Sequence, residues 1–393
     1  MEDGIRSRFA LIPFLANINE LANPYSLIVA YIHRWRSIKV TAVSNQQMNA
    51  FFHAVSGPTV TAAPQLTSLV LSIDQSTDDD DIFWFLAAGS FTLFGGSSPC
   101  LERISLENVF INWNQDWISH ASRLTTLELL HHSCLGCPSW DQFTTVLRGA
   151  PALERLVLHR SGPREDPPSL NTDPNPEIDA MERNSPLQLL KLSHLSLLLQ
   201  PRTCVYRLLR MLYMPALRSL TIDFSWDDYT EFLSYIIAPA TIPAMLSIEA
   251  QPHSLLHNLE TLDINCSLCP TDVIEQLYNE LENVKSLKIS MDDGWYDHLG
   301  CALILPLLPP TAPGHGAVNL WHRRLETLSI SAASRDLHLE VICQVVQQRH
   351  DAGFPIKSLY IEGKCDMAVN EEDVLWLERQ TETFVFSRQR AKQ

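Results

Sequence analysis

A short phrase of alternating apolar and polar residues recurs along the chain. It has the form L-x-x-L-x-L, and its eleven copies begin at Trp35, Leu66, Leu101, Leu124, Leu153, Leu192, Leu217, Leu259, Val284, Leu325 and Ile356. We number each phrase from its leading residue. Apolar residues at the fourth and sixth positions alternate with polar ones, which is the period of a half-buried strand. The pattern therefore predicts one short strand for each copy.

The segments between the phrases have the periodicity of helices. Ser44 with Gln47, and Ser139 with Gln142, have the spacing of a capping box directly before an apolar stripe. Pro151 lies two residues before the leading leucine of the fifth phrase, where a proline ends a helix and directs the chain into a strand. Strands that alternate with helices are expected to be parallel, with right-handed crossovers.

Repetition of one such step predicts an α/β fold, a right-handed solenoid of the leucine-rich-repeat type with a curved parallel sheet and outer helices. The phrases begin on average about 32 residues apart. This spacing is longer and less regular than the roughly 20 to 29 residues of a strict leucine-rich repeat. A doubly wound sheet also alternates strands and helices and is the alternative, but the recurrence of the phrase favours the solenoid.

The pattern also divides the chain into segments. Residues 1–34 are predicted as an N-terminal helical segment, residues 35–376 as the repeat region and residues 377–393 as a C-terminal tail. Two polar, proline-rich stretches near 160–186 and 306–322 are predicted as insertions. They are not domain boundaries in this interpretation, because the phrases resume in the same form after each.

Charge and cysteine content narrow the function. The 29 basic and 45 acidic side chains give a net charge of −16, which argues against a nucleic-acid partner. Lys191 and His194 interrupt the most leucine-rich segment, so no apolar run reaches the roughly 18 residues of a membrane span. The nine cysteines are an odd number, which favours reduced thiols and a cytoplasmic or nuclear location.

The run from His131 to Cys137 contains two histidines and a Cys-x-x-Cys pair, a pattern typical of zinc sites, and Cys266 with Cys269 forms a second pair. Four strand spacings of about 4.8 Å place the two pairs roughly 20 Å apart, too far to share one ion. Cys134 and Cys269 both occupy the eleventh position, where a leucine-rich repeat has an inward apolar residue. We therefore predict buried core thiols and no metal site.

The chain contains no sequence signature of a serine hydrolase, a zinc protease, a P-loop or a dinucleotide-binding loop. We expect a protein that is not an enzyme and has no cofactor. The enzyme alternative is a metal-dependent hydrolase that uses His131, His132 and Cys134.

The third, fifth and seventh phrase positions are expected on the open, concave face of the sheet. In the middle repeats these positions include arginines and an apolar residue, which are typical anchors of binding surfaces. We predict a protein-binding face that consists of Arg103, Glu128, Arg155, Val157, His159 and His194.

Several phrases with their flanking residues resemble one family. They are HRWRSIKV (His33 to Val40), APQLTSLVLS (Ala63 to Ser72), SPCLERISLENV (Ser98 to Val109), APALERLVL (Ala150 to Leu158), MPALRSLTI (Met214 to Ile222) and HNLETLDI (His257 to Ile264). They are similar to the repeat portion of the fungal F-box proteins with degenerate leucine-rich repeats. The resemblance implies that the repeats present a substrate protein to a cullin-based ubiquitin ligase, while an F-box binds a Skp-type adaptor.

The N-terminal part departs from that family. An F-box opens with a phrase like L-P-x-E, whereas this chain has Ile12-Pro13-Phe14-Leu15 before it reaches Arg34-Trp35-Arg36. The segment is similar either to a shortened F-box or, in the interpretation we favour, to the helix that follows an F-box. A Skp-type adaptor is then a partner only if an F-box is encoded upstream. The alternative function is a stand-alone leucine-rich-repeat scaffold or regulator without a link to ubiquitin ligases.

Overall fold

The computed structural model describes residues 29–56, 60, 62–74, 91–164, 186–223, 230–238, 254–265, 270–291, 323–332, 339–364 and 370–389. The chain divides into two compact units, Met1–Ser196 with Thr203–Met214, and Leu197–Arg202 with Pro215–Gln393. Most of the predicted N-terminal helical segment, the second predicted insertion and most of the first lie outside the described residues.

The first unit is an α/β structure whose strands are parallel and follow the order of the chain. Its pairs align phrase with phrase, so the third positions Ser68, Arg103, Thr126 and Arg155 lie side by side. These strands are β1 (Ser37–Ala42), β2 (Ser68–Ile73), β3 (Arg103–Glu107), β4 (Thr126–Leu130) and β5 (Arg155–His159). Two short strands, β6 (Leu187–Gln188) and β8 (Leu212–Tyr213), form a separate parallel pair, and β7 (His194–Leu198) begins in this unit.

The second unit has the same arrangement, again with parallel pairs in chain order. Its strands are β9 (Ser219–Asp223), β10 (Thr261–Asn265), β11 (Ser286–Met291), β12 (Thr327–Ala332), β13 (Ser358–Lys364) and β14 (Thr383–Gln389). Each of the eleven predicted phrases forms a strand, so that prediction is confirmed.

The strand β14 corrects the predicted C-terminal tail at 377–393. Its residues pair in parallel with β13, from Ser358 opposite Thr383 to Lys364 opposite Gln389. The pattern did not reveal this strand because its phrase begins with Thr381 and places phenylalanine, rather than leucine or isoleucine, at the fourth and sixth positions.

Helices connect the strands in both units. Within the described residues they are α1 (Asn45–Val55), α2 (Asp116–Ser119), α3 (Trp140–Arg148), α4 (Arg202–Met211), α5 (Thr230–Ile237), α6 (Thr271–Glu280), α7 (Leu339–Asp351) and α8 (Glu371–Gln380). In the eleven predicted repeats the fourth and sixth phrase positions are buried, and they form the core together with buried apolar side chains of the helices. No helix in the described ranges has the length and apolar character needed to cross a bilayer.

The predicted helix caps are present. The Ser44 hydroxyl accepts a hydrogen bond from the Gln47 amide at the start of α1. At α3 the capping box is reciprocal, because Ser139 Oγ accepts from the Gln142 amide while Gln142 Oε1 accepts from the Ser139 amide at 2.8 Å. Each cap satisfies backbone donors that the helix cannot satisfy itself.

One repeated hydrogen-bond pattern sets the register of the strands. The carbonyl oxygen at the second phrase position accepts from two successive amides of the next strand. In the first unit Thr67 O accepts from Glu102 and Arg103 at 2.8 and 2.9 Å. In the second unit Glu260 O accepts from Lys285 and Ser286 at 2.9 and 3.1 Å. Residues at equal phrase positions are therefore neighbours across each pair.

A close backbone approach at Gly149 fixes the end of α3, and with it the entry into β5. The Gly149 amide donates to the Thr145 carbonyl at 3.0 Å. A Cβ atom built at this position would lie 1.9 Å from the carbonyl oxygen of Ser119, the last residue of α2. The backbone of Gly149 has an ordinary φ of −72°, so the space, not the conformation, requires glycine here.

We predict that Gly149→Ala lowers the free energy of unfolding by about 2 kcal/mol or more, because α2 and α3 must move apart to admit the methyl group. Urea unfolding followed by circular dichroism measures the change. Gly353→Ala is the contrast, because Gly353 has a φ of +80° but nothing within 4 Å of its Cβ position. We expect that variant to lose only about 1 kcal/mol, from backbone conformation alone. A Gly149→Ala protein as stable as the wild type would contradict the packing argument.

Candidate functional site

Most of the predicted binding face lies on adjacent strands of the first unit. Arg103 on β3 and Arg155 on β5 are third-position residues on either side of β4, which carries Glu128 at its fifth position. His159 ends β5. His194 is placed beside β5 by its amide, which donates to the Glu154 carbonyl at 3.0 Å. The register thus brings these predicted residues onto one open face.

An ion-pair triad occupies the centre of this face. Arg103 Nη2 lies 2.9 Å from Glu128 Oε2, and Arg155 Nε lies 3.4 Å from Glu128 Oε1. The Glu128 side chain is only 14% exposed, whereas those of Arg103 and Arg155 are 51% and 48% exposed. Two guanidinium groups therefore share one covered carboxylate, and the triad presents one net positive charge to solvent.

Val157 departs from its predicted role. It lies opposite Glu128 on β5, but it is only 8% exposed and belongs to the buried residues. The prediction of an exposed apolar anchor at this position is therefore wrong. Long side chains on the neighbouring third and fifth positions leave a short β-branched side chain little free surface. Val157 contributes to the floor of the face rather than to its contact area.

A third histidine, His131, extends the face at the carboxyl end of the strands. The rings of His131 and His159 lie 4.2 Å apart between centroids, at an interplanar angle of 55°. His131 has a left-handed φ of 53°, and its amide donates to the His159 carbonyl at 2.7 Å. Asn108 and Arg160 also have positive φ at the same eighth phrase position. The predicted face included only the third, fifth and seventh phrase positions. Inclusion of the eighth position would have added His131.

The suspected zinc pattern after β4 has a different arrangement. His132 is buried, its Nδ1 lies 2.7 Å from Ser161 Oγ, and its ring contacts the Trp113 ring with centroids 6.3 Å apart. Burial lowers the pKa of His132 from 6.5 to about 4, although backbone hydrogen bonding at Val109 opposes the shift. His132 is thus a neutral core residue at pH 7.

The two cysteines of this run do not follow the prediction either. Cys134 is exposed, so its assignment as a buried core thiol at the eleventh position is wrong. It lies in a turn after β4, beyond the strand whose alternation the phrase predicts, so its position counted from Leu124 does not determine its burial. Cys137 is half-buried, and burial raises the pKa of its thiol. Cys266 and Cys269 lie outside the described residues.

Within the described ranges, no three histidine, cysteine, aspartate or glutamate side chains form a group that could hold a metal ion. Only their spacing in the sequence is typical of a zinc site. The structure separates them by burial, with His132 inside the core and Cys134 at the surface.

The second unit carries a charged edge that was not among the predicted site residues. The second phrase positions of successive strands alternate in sign, in the order Arg218, Glu260, Lys285, Glu326, Lys357 and Glu382. Glu260 lies 2.9 Å from Lys285 and 3.3 Å from Arg218, and Lys357 lies 2.9 Å from Glu326. Hydrogen bonding to Glu326 raises the pKa of Lys357. The alternation is visible in the sequence once each phrase is aligned at its leading residue.

We predict that His132 makes stability depend on pH. The unfolded chain protonates this residue below about pH 6.5, whereas the folded chain keeps it neutral to about pH 4. Protonation therefore favours the unfolded state as the pH falls through this window. From pH 7 to pH 5 the folded state should lose about 2 kcal/mol through this residue alone.

Urea unfolding at several pH values tests this expectation. The His132→Asn variant should be less stable at pH 7, but its stability should fall less steeply with decreasing pH than that of the wild type. His120→Asn is the control, because His120 is an exposed histidine of the same unit and should follow the wild-type slope. Parallel curves for wild type and His132→Asn would contradict the prediction.

Comparison with known proteins adds no assignment. No protein-family model matches this chain, and no curated protein matches it either.

Proposed function

We propose that this chain is a non-enzymatic protein-recognition module that binds an acidic segment of a partner protein on the open face of its first unit. We also propose that its strands and helices continue as a right-handed solenoid of the leucine-rich-repeat type. The parallel strands in chain order and the constant phrase register support that architecture.

The triad of Arg103, Glu128 and Arg155 is the observation that carries this proposal. Its two half-exposed guanidinium groups are held by hydrogen bonds to one covered carboxylate. Arginine forks pair well with carboxylates, and side chains already held in position lose less freedom on binding. The remaining N–H groups of the two arginines can therefore donate hydrogen bonds to carboxylates of an acidic segment.

The surrounding charge makes the triad selective. The chain has a net charge of −16, so most acidic partners are repelled by the protein as a whole. A partner gains binding free energy from the triad only where its own carboxylates lie against these two arginines. Electrostatic complementarity of this kind contributes chiefly to specificity and association rate.

By its resemblance to the fungal F-box proteins, the module is the substrate-receptor part of a cullin-type ubiquitin ligase. A Skp-type adaptor would then bind an F-box outside the repeats. The alternative is a scaffold that uses the same face without an adaptor. The hydrolase alternative has less support, because His132 lies in the core away from a substrate in solution.

We predict that the Arg103→Glu and Arg155→Glu double variant binds a partner of the open face more weakly. The expected loss of binding free energy is about 2 kcal/mol or more, which is roughly 30-fold in affinity. The reason is that both anchors reverse their charge and leave Glu128 without a counter-ion. Proteins captured by the full chain are compared by quantitative mass spectrometry, and the affinity of each is then measured with purified components.

Arg123→Glu with Arg148→Glu is the matched control for this experiment. Both arginines are exposed residues of the first unit, one in the turn before β4 and one in the last turn of α3. The control changes the net charge by the same amount away from the open face. If a protein binds the wild type and the control but not the Arg103 and Arg155 variant, the proposal is supported. If it binds both variants, its binding site lies elsewhere.

A separate measurement tests the link to ubiquitin ligases. We expect a purified Skp-type adaptor to bind a version of the chain extended upstream to include an F-box. Absence of binding by both this chain and the extended version would remove the ligase assignment. Binding of a partner at the open face would then favour the scaffold alternative, because that binding depends on the arginines and not on an adaptor.

A further inference from the structure

A second charged surface lies on the second unit, in a groove at the amino ends of β9 to β12. The groove has a volume of about 360 Å³, within the range of small-ligand pockets. The polar residues that line it are Arg218, Asn258, Glu260, Asn283, Lys285 and Arg324. They occupy the second position of successive phrases or the position just before the leading residue, so the repeat itself builds the groove.

The walls of the groove are held in place by the two asparagines. Asn283 Nδ2 donates to the His257 carbonyl at 2.8 Å, and Asn258 Nδ2 donates to the Pro215 carbonyl at 3.4 Å. Each side chain therefore ties one inter-strand turn to the preceding turn. The charged residues of the groove extend from turns that are fixed to one another.

The positive charges of the groove outnumber its negative charge. Glu260 accepts hydrogen bonds from Lys285 at 2.9 Å and from Arg218 at 3.3 Å. Arg324 turns back toward β11, and its Nη1 donates to the neutral Oδ1 of Asn283 at 2.8 Å. Three cations thus surround one carboxylate, and the lining that the structure describes has two net positive charges.

The electrostatic environment of Glu260 is consistent with this excess. Hydrogen bonding and charge from Lys285, with further contributions from Arg218 and Arg324, hold the pKa of Glu260 below its ordinary value. All three cations therefore act on the same small volume, although the lining is exposed to solvent.

We propose that this groove binds the phosphate group of a phosphorylated ligand. A phosphate monoester carries a charge of about −1.5 to −2 at pH 7 and has three acceptor oxygens, which match two net positive charges and the donors of two arginines and a lysine. A ligand with a single carboxylate would compensate only about half of the net positive charge of the groove. The groove is larger than one phosphate, so it also accommodates the group to which the phosphate is attached.

The site is independent of the open face of the first unit. Its residues belong to the second unit, and its chemistry does not require the partner proposed above. The phosphate can come from a phosphorylated protein segment or from a free phosphorylated small molecule. Both sources use the same cations, so the experiment has to distinguish them.

Isothermal titration of the full chain with inorganic phosphate tests the site directly. We expect saturable binding at one site that weakens with increasing salt, because the lining is exposed. The Lys285→Gln and Arg324→Gln double variant should bind at least about tenfold more weakly, since two of the three cations are lost. Glu260→Gln should bind more tightly, because it removes the carboxylate that competes for Arg218 and Lys285.

The control is the Arg123→Gln and Arg148→Gln double variant of the first unit, which changes the net charge equally and lies outside both proposed binding surfaces. It should bind phosphate as the wild type does. Absence of saturable binding, an equal loss in this control, or no gain in Glu260→Gln would overturn the proposal. The gain in Glu260→Gln cannot result from misfolding, so the test holds even if the double variant in the groove is unstable.

A second titration separates the two sources of phosphate. The probe is a five-residue peptide with a central phosphoserine and neutral flanking residues, compared with its unphosphorylated form. Tighter binding of the phosphopeptide than of free phosphate supports a phosphorylated protein segment as the ligand. Equal affinity supports a phosphorylated small molecule. Binding of the unphosphorylated peptide with the same affinity would overturn the role of phosphate.

Discussion

The register between neighbouring strands is the constraint on which the other features depend. A carbonyl oxygen at the second phrase position accepts from two successive amides of the next strand, as Thr67 does for Glu102 and Arg103. Because the same connection recurs in each unit, the neighbours of a residue on the two adjacent strands occupy the same phrase position as that residue. A functional surface then arises from the choice of one side chain at one position in successive repeats, without any change in the backbone.

The strands and the capped helices could be predicted because their signals are local. In the eleven predicted repeats the apolar residues at the fourth and sixth phrase positions are all buried, so the period of two was sufficient. The strand β14 was missed because phenylalanine replaces the aliphatic residues and threonine replaces the leading leucine. Cys134 was misassigned because it lies in an exposed turn after β4, where the alternation of the phrase no longer predicts burial.

The chemistry of the two surfaces was harder to predict, because it depends on ratios of charges across strands. Lys288 pairs with Asp263 at 2.9 Å and Lys357 pairs with Glu326 at 2.9 Å, so both cations are matched one to one. The triad around Glu128 has two cations for one carboxylate, and the groove around Glu260 has three. These partners are separated by 25 to 42 residues in the chain. The sequence reveals which residues share a phrase position, but burial and hydrogen bonding decide which charges remain available.

The alternating edge of the second unit has a consequence for how this protein can change its length. Its second positions run from Arg218 to Glu382 with the sign changing at every step. Loss or duplication of one repeat would bring two like charges face to face across a strand pair, which is unfavourable. Removal of two adjacent repeats would preserve the alternation. Evolutionary gain or loss of repeats in this part of the molecule is therefore favoured in even numbers, a parity rule set by side-chain charge rather than by backbone geometry.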